Sequence, residues 1–207
     1  MEKETARLEA FSDGIFGVAI TLLAIDIGIK EYDGASNLSL WHDIAERWPE
    51  YFAYFNSFAL VLLVWMGHHT ILKPVRRANV ATLFLNGAIL LLVALFPFPT
   101  RTVGRFIGTQ AEATAVAFYA GFTGLIGLSM LLLTLYLRSH QRLLMAGDPG
   151  IAVLQRLPRW QLTGVIAYAG LAGLTLLSPR SALVGTFVMW LFWAVVLLRS
   201  EAHATLE

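Results

Sequence analysis

The feature that most constrains this chain is a series of apolar stretches, each long enough to cross a lipid bilayer. About 20 mostly apolar residues span the hydrocarbon core as a helix. Six stretches read this way: residues 8–29, 50–72, 80–103, 112–138, 160–178 and 181–199. Lipid offers no partner to backbone N–H and C=O groups, so such runs fold as helices. The expected fold class is all-α, a polytopic membrane protein with six transmembrane helices in one domain over residues 1–207. Only 14% of the residues are charged, against about 25% in soluble domains. The N-terminus, Met1-Glu2-Lys3-Glu4-Thr5, lacks a basic n-region, so the first apolar run is expected to stay as a helix.

Several functions are disfavoured. With no cysteine, disulfides, thiolate metal sites and cysteine nucleophiles are excluded. A net charge of +1 gives no footing for nucleic acid. No HExxH, GxSxG or P-loop pattern occurs, so an enzyme is not expected. Thr102-Val103-Gly104-Arg105-Phe106 imitates a TVGYG filter, but Arg105 replaces the tyrosine and the final glycine is missing. No metal site is expected either: neighbouring His68 and His69 point about 100° apart on a helix, and no third ligand accompanies them.

Six spans put both termini on one side, and basic residues choose the side. With the N-terminus inside, Lys3, Arg7, Lys73, Arg76, Arg77, Arg138, Arg142, Arg156, Arg159 and Arg199 are cytoplasmic. Lys30, Arg47, Arg101, Arg105 and Arg180 are outside. Ten against five places both termini in the cytoplasm of a cell-membrane protein. The outer segment 30–50 carries Glu31, Asp33, Asp43, Glu46 and Glu50, which either draw cations to an outer mouth or are an ordinary solvated loop. Within it, residues 38–45 read as a short interfacial helix. Pro97 and Pro99 should end or bend the third span. Residues 143–157, broken at Gly147-Asp148-Pro149-Gly150, read as the longest inner connection.

The first span carries a carboxylate, Asp13, in its first turns. A charge within a span is costly and usually faces protein or water. Placed at about 100° per residue from Val18, Phe11, Leu22 and Ile25 fall within about 40°, Thr21 about 60° to one side and Asp13 about 140° away. The helix therefore offers an apolar stripe and, nearly opposite, a polar anchor. The stripe alone fits either core packing or a pore wall. His68 and His69 end the second span, Asn86 lies early in the third, and all share the depth of Asp13, with Trp65 one turn deeper. Ser12 and Asp13 are expected to bond to some of these groups, with Arg7 joining from the cytoplasmic edge. The histidines open the way to a pH dependence.

Arg7-x-x-x-Phe11-Ser12-Asp13 resembles the RxxxFSD signature that opens the first helix of the transmembrane protein 175 family of potassium channels. His68-His69 and the run from Asn86 to Thr100 are similar to that family's second and third helices, whereas the second half of the chain matches only as generic spans. One FSD motif corresponds to the single-repeat prokaryotic form. The resemblance implies a homotetrameric, potassium-selective cation channel with no bound cofactor, potassium itself being the permeant ion. It implies a path lined by the first helices, with Val18, Leu22 and Ile25 as apolar rings and Thr21 offering oxygens. Val18 stands where the family usually has isoleucine or leucine, a departure that widens the constriction. The rival is a proton-coupled secondary transporter built on Asp13 and His68/His69, although no broken mid-membrane helix supports it. A membrane scaffold without transport is a third reading.

Overall fold

A computed structural model describes residues 5–25, 27 and 36–204, with side chains as far as Leu197. The last residues expected in the first span, 26 and 28–29, and the loop residues Lys30, Glu31 and Asp33 lie outside the described residues. The described residues form α1 (Ala6–Ile25), α2 (Asn37–Glu46), α3 (Trp48–Leu72), α4 (Val80–Leu95), α5 (Pro97–Phe106), α6 (Glu112–Ser139), α7 (Gly150–Leu174) and α8 (Pro179–Ala204). No strand occurs among them, only an isolated antiparallel bridge between Val75 and Leu144. The protein is an all-α, multi-pass membrane protein.

Local chemistry explains the helix ends. Ser36 and Ser39 form a reciprocal capping box that starts α2, the short helix expected at 38–45. Pro49 occupies the first turn of α3, where a missing N–H costs nothing. The Asn79 side chain accepts from Thr82 N at 2.9 Å and opens α4. The third apolar stretch breaks into α4 and α5 at Phe96, because Pro97 has no N–H to continue the ladder. The TVGRF sequence is the last turn of α5, so its carbonyls are turned along a helix axis and form no filter.

Two expectations need correction. The connection expected over 143–157 is short: after a 3₁₀ turn at Gln141–Leu143 the chain re-enters helix at Gly150. Gly147, at φ 78°, makes the left-handed turn, and the Asp148 carboxylate accepts from Gly150 N at 2.8 Å to start α7. Pro158 falls inside α7 and does not stop it. The fifth span is thus the second half of a 25-residue helix. Among the described residues five helices, with α4 and α5 counted as one, are long and apolar enough to cross a membrane. Besides the short α2, the helix not among them is α7, whose first half holds Arg156, Arg159 and Gln161.

The most extensive helix pair is α6 with α7. Gly124 of α6 lets the two approach closely, since a Cβ there would sit 3.4 Å from Tyr168 Cβ. Tighter still is Gly104, whose added Cβ would lie 3.3 Å from Glu50 Cα, so α5 packs backbone to backbone on α3. Helix α8 buries Ala182, Leu183 and Thr186 while exposing Val184, Val188 and Val195. At one end of the bundle the loop after α3 is clamped to the connection after α6: Arg76 N donates to Leu143 O at 2.8 Å and Met145 N to Pro74 O at 2.9 Å.

Across α3, α5, α6 and α8 runs a buried polar cluster. Asn56 Nδ2 donates to Tyr119 Oη at 3.2 Å and Thr186 Oγ1 at 3.1 Å. Ser57 Oγ lies 3.0 Å from Tyr119 Oη and accepts from Thr100 Oγ1 at 2.8 Å. Thr100 sits just past the proline break, so this cluster tethers α5 to α3. Tyr119→Phe removes one hydroxyl that serves two buried partners. A buried polar group stripped of its partner costs about 1–3 kcal/mol. Thermal unfolding in detergent, followed by circular dichroism, should show a lower midpoint for this variant; an unchanged midpoint would remove the cluster from the stability of the bundle.

Candidate functional site on the first helix

Helix α1 has two unlike faces, and burial separates them. Ser12, Phe16, Ala19 and Leu23 are buried. They follow one another at steps of three and four residues, the spacing of one helix face. That face packs on α3 and α4, with a smaller contact to α5. The apolar stripe is the other face: Phe11 is 62% exposed, Val18 57%, Leu22 38% and Ile25 69%. Thr21, Gly14 and Gly17 are exposed as well. The stripe therefore plays no part in the core of the subunit. Thr21 Oγ1 donates to Val18 O at 2.8 Å, so its hydrogen is committed and its oxygen lone pairs are not.

The buried face is held by a directional chain of hydrogen bonds. Ser12 Oγ donates to Leu8 O at 2.8 Å. It accepts from Asn86 Nδ2 of α4 at 3.1 Å. With that amide nitrogen donating, Asn86 Oδ1 is the acceptor toward His68 Nε2 of α3, 2.6 Å away. The network thus assigns the proton to His68 Nε2. Ser12, His68 and Asn86 are each at most 2% exposed. The Phe16 ring lies against the His68 imidazole, with centroids 5.3 Å apart. One turn away, Trp65 Nε1 donates to Asp13 Oδ1 at 2.8 Å.

The structure brings together most, not all, of the residues expected in the anchor. Ser12, Asp13, Trp65, His68 and Asn86 meet as described. His69 is exposed and reaches the group only through its ring, 6.2 Å from that of Trp65, its neighbour one turn back. Arg7 is exposed and bonds to none of them, so the expected contact from the edge is not made within the subunit. The side chain starts five residues before Ser12 and projects from the open side of the helix. One anchor was missed from sequence. Thr5, 1% exposed, shares its hydroxyl hydrogen between Glu9 Oε1 at 2.8 Å and Val75 O at 3.2 Å, tying the foot of α1 to the clamped loop. A lone threonine ahead of a helix carries no signal of so distant a partner. Elsewhere, His42, Asp43 and Glu46 of α2 bring one ligand atom each within 4.8 Å of one another, at a surface where such groups meet without an ion.

With this geometry established, comparison with known proteins is informative. Residues 7–97, from α1 into the start of α5, match the family model described as endosomal/lysosomal potassium channel TMEM175. A potassium channel of Chamaesiphon minutus is 38% identical over 120 residues, 58% of this chain and 59% of that protein. The solved structure of a lysosomal potassium-selective channel TMEM175 homologue from the same organism superposes with a TM-score of 0.83 at 29% identity, covering 95% of this chain and 98% of the other. Over residues 7–97 the chain resembles the TMEM175 family. A potassium channel of Streptomyces collinus is 40% identical over 118 residues, 56% of each chain. Human TMEM175, described as an endosomal/lysosomal proton channel, is 35% identical over 106 residues, 48% of this chain and 21% of that one. The matched stretch is thus under two thirds of the length of these curated relatives. The family-model match over residues 7–97 contains Ser12, Asp13, Trp65, His68 and Asn86.

Asn86 is the hub of the chain, since it bonds both Ser12 and His68. Asn86→Leu keeps the volume and strands two buried polar groups, at about 1–3 kcal/mol each. Urea or thermal unfolding in detergent should show this variant as strongly destabilised, and more so than Asp13→Asn, whose bond to Trp65 is at the exposed edge. Equal stability of Asn86→Leu and wild type would contradict the hub.

Proposed function

We propose that four copies of this chain form a potassium-selective cation channel, with α1 of each subunit lining the path. The observation that carries this reading is the exposed face of α1 together with Asp13. Only 22% of the α1 span is buried, against 50% for α6. An exposed apolar face alone suits lipid equally well. Asp13 does not: it is exposed with one partner among the described residues, Trp65, and a carboxylate accepts several hydrogen bonds. Facing lipid, it would be costly. Facing a neighbouring subunit or water, it is satisfied, and rotational symmetry supplies that neighbour. The names of the bacterial relatives, both potassium channels, support the ion.

In this assembly Val18, Leu22 and Ile25 form successive apolar rings. Such rings hold back ions by dewetting, while Thr21 oxygens between them replace part of a hydration shell. Four valines in place of larger residues leave a wider ring at Val18. The permeant ion needs no resident cofactor. Lipid is the other partner, in the cell membrane, with both termini cytoplasmic by the excess of inner basic residues.

The proton-coupled transporter finds less support. Asp13 is bonded to an indole N–H, which donates but cannot relay a proton, and His68 is bonded to Asn86 instead of to Asp13. The animal relatives described as proton channels keep proton flux as a measurement to make beside potassium flux.

Purified protein in liposomes should carry passive potassium-preferring flux. Thr21→Ala should lower the potassium-to-sodium preference several-fold, and Leu22→Ala should raise total flux while reducing preference. Flux that requires a proton gradient and ignores both variants would support the transporter. Absence of any flux from a correctly folded protein would leave the scaffold.

A further inference from the structure

Helix α7 also has two unlike faces. Leu154, Leu157, Gln161, Gly164 and Tyr168 are buried and follow one another at steps of three and four residues. Arg156, Arg159, Trp160, Thr163 and Ile166 are exposed and share the other face. The depth of this face follows from the pairing of α7 with α6. Gln161 Nε2 donates to Thr134 Oγ1 at 3.0 Å, and a Cβ on Gly127 would lie 3.5 Å from Val165 Cγ2. The two helices run antiparallel, so each residue back along α7 is one residue on along α6. Arg159 is therefore level with Tyr136, and Arg156 with Ser139, the last residue of α6. The 28 residues of α6 make a rod about 42 Å long, enough to cross the hydrocarbon core and both headgroup layers. With α6 centred in the bilayer, Arg159 stands about 16 Å and Arg156 about 20 Å from the midplane, against about 15 Å for the edge of the hydrocarbon. Trp160 is at that edge, and Thr163 and Ile166 lie below it among the acyl chains.

The face thus follows the order of a phospholipid: two guanidinium groups, an indole, then apolar surface. The Trp160 ring meets Phe192 of α8 edge-on, with centroids 6.1 Å apart, which holds the indole at the seam of the two helices. Thr163 gives its hydroxyl hydrogen to Arg159 O at 2.9 Å, so it makes no demand on the lipid. The arginine charge has no answer within the protein. From residue 113 to residue 200 the sequence holds one acid, Asp148, whose carboxylate accepts from Gly150 N at 2.8 Å. Neither Arg156 nor Arg159 forms an ion pair among the described residues. Two such guanidinium groups at phosphate depth suit one phosphodiester, which their planar forks bind through paired hydrogen bonds. We propose that this face of α7 binds an anionic phospholipid, with its phosphate between Arg156 and Arg159, its glycerol region against Trp160 and one acyl chain along Thr163 and Ile166. A net negative lipid is favoured over a zwitterionic one, because no acid of α7 stands by to take an ammonium headgroup. The site lies in the leaflet where α7 begins and does not depend on ion conduction.

The probe is phosphatidylglycerol, offered to the purified full chain in mixed micelles with an equal amount of phosphatidylcholine of the same acyl chains. Native mass spectrometry then counts the lipids retained. Wild type should keep phosphatidylglycerol over phosphatidylcholine by about five-fold or more. Arg156→Gln together with Arg159→Gln should bring the ratio close to one, while Arg142→Gln, an exposed arginine off this face, should leave it as in wild type. Soluble glycerol phosphate should not displace the lipid. Equal retention of the two lipids by wild type, or a loss with Arg142→Gln as large as with the pair, would overturn the proposal. Displacement by glycerol phosphate would do so as well, by making the occupant a soluble phosphate ester. Should the double variant fold poorly, tryptophan fluorescence in nanodiscs decides. Brominated phosphatidylglycerol should quench wild type more than brominated phosphatidylcholine does, and the difference should vanish in Trp160→Phe. A difference that persists in Trp160→Phe places the lipid elsewhere and overturns the site.

Discussion

The fold rests on one constraint: in lipid, a polar side chain must find its partner inside the protein. Ser12 meets it by donating to Leu8 O and accepting from Asn86, which in turn accepts from His68. Turning α1 by one residue would take Ser12 out of this chain and strand Asn86. The rotation of α1 is set by those bonds, and with Ser12 and Phe16 turned inward, Val18 and Leu22 are turned outward by helix geometry alone. The character of the exposed face thus follows from what the buried face must satisfy.

A second set of polar contacts works at other levels. Thr5 bonds the foot of α1 to Val75, and the Val75 loop is clamped to residues 143–145. Farther along α3, Asn56 and Ser57 gather Tyr119, Thr100 and Thr186. Thus α3 serves as the frame, bonded to α4 and α1 near its C-terminal end and to α5, α6 and α8 nearer its start. Of the five long apolar helices among the described residues, α1 is the least buried, and its outer face is left open.

The family match ends at residue 97, yet the structural likeness to the Chamaesiphon minutus homologue covers 95% of the chain. Packing chemistry accounts for the contrast. The contacts of α6, α7 and α8 are mostly apolar, and apolar side chains of similar volume replace one another at small cost. Hydrogen-bonded groups such as Ser12, His68 and Asn86 have no such freedom, so the segment that holds them keeps a recognisable pattern.

Much of this was legible without coordinates. Apolar length determined the all-α membrane class, proline the break after α4, and the FSD motif with Trp65, His68 and Asn86 most of the anchor. These are properties of composition and spacing along one strand of chain. The sequence could not say which face of α1 is buried, because an apolar stripe looks the same against a core as against a pore; the bond from Asn86 to Ser12 decides it. Nor could it show that Arg7 stands apart from the anchor, or that the expected connection at 143–157 is largely helix, because Gly147 and Asp148 turn the chain within a few residues. The polar cluster around Tyr119 was equally hidden. Each depends on side chains far apart in sequence meeting in space, and only the packing of helices against one another determines which of them meet.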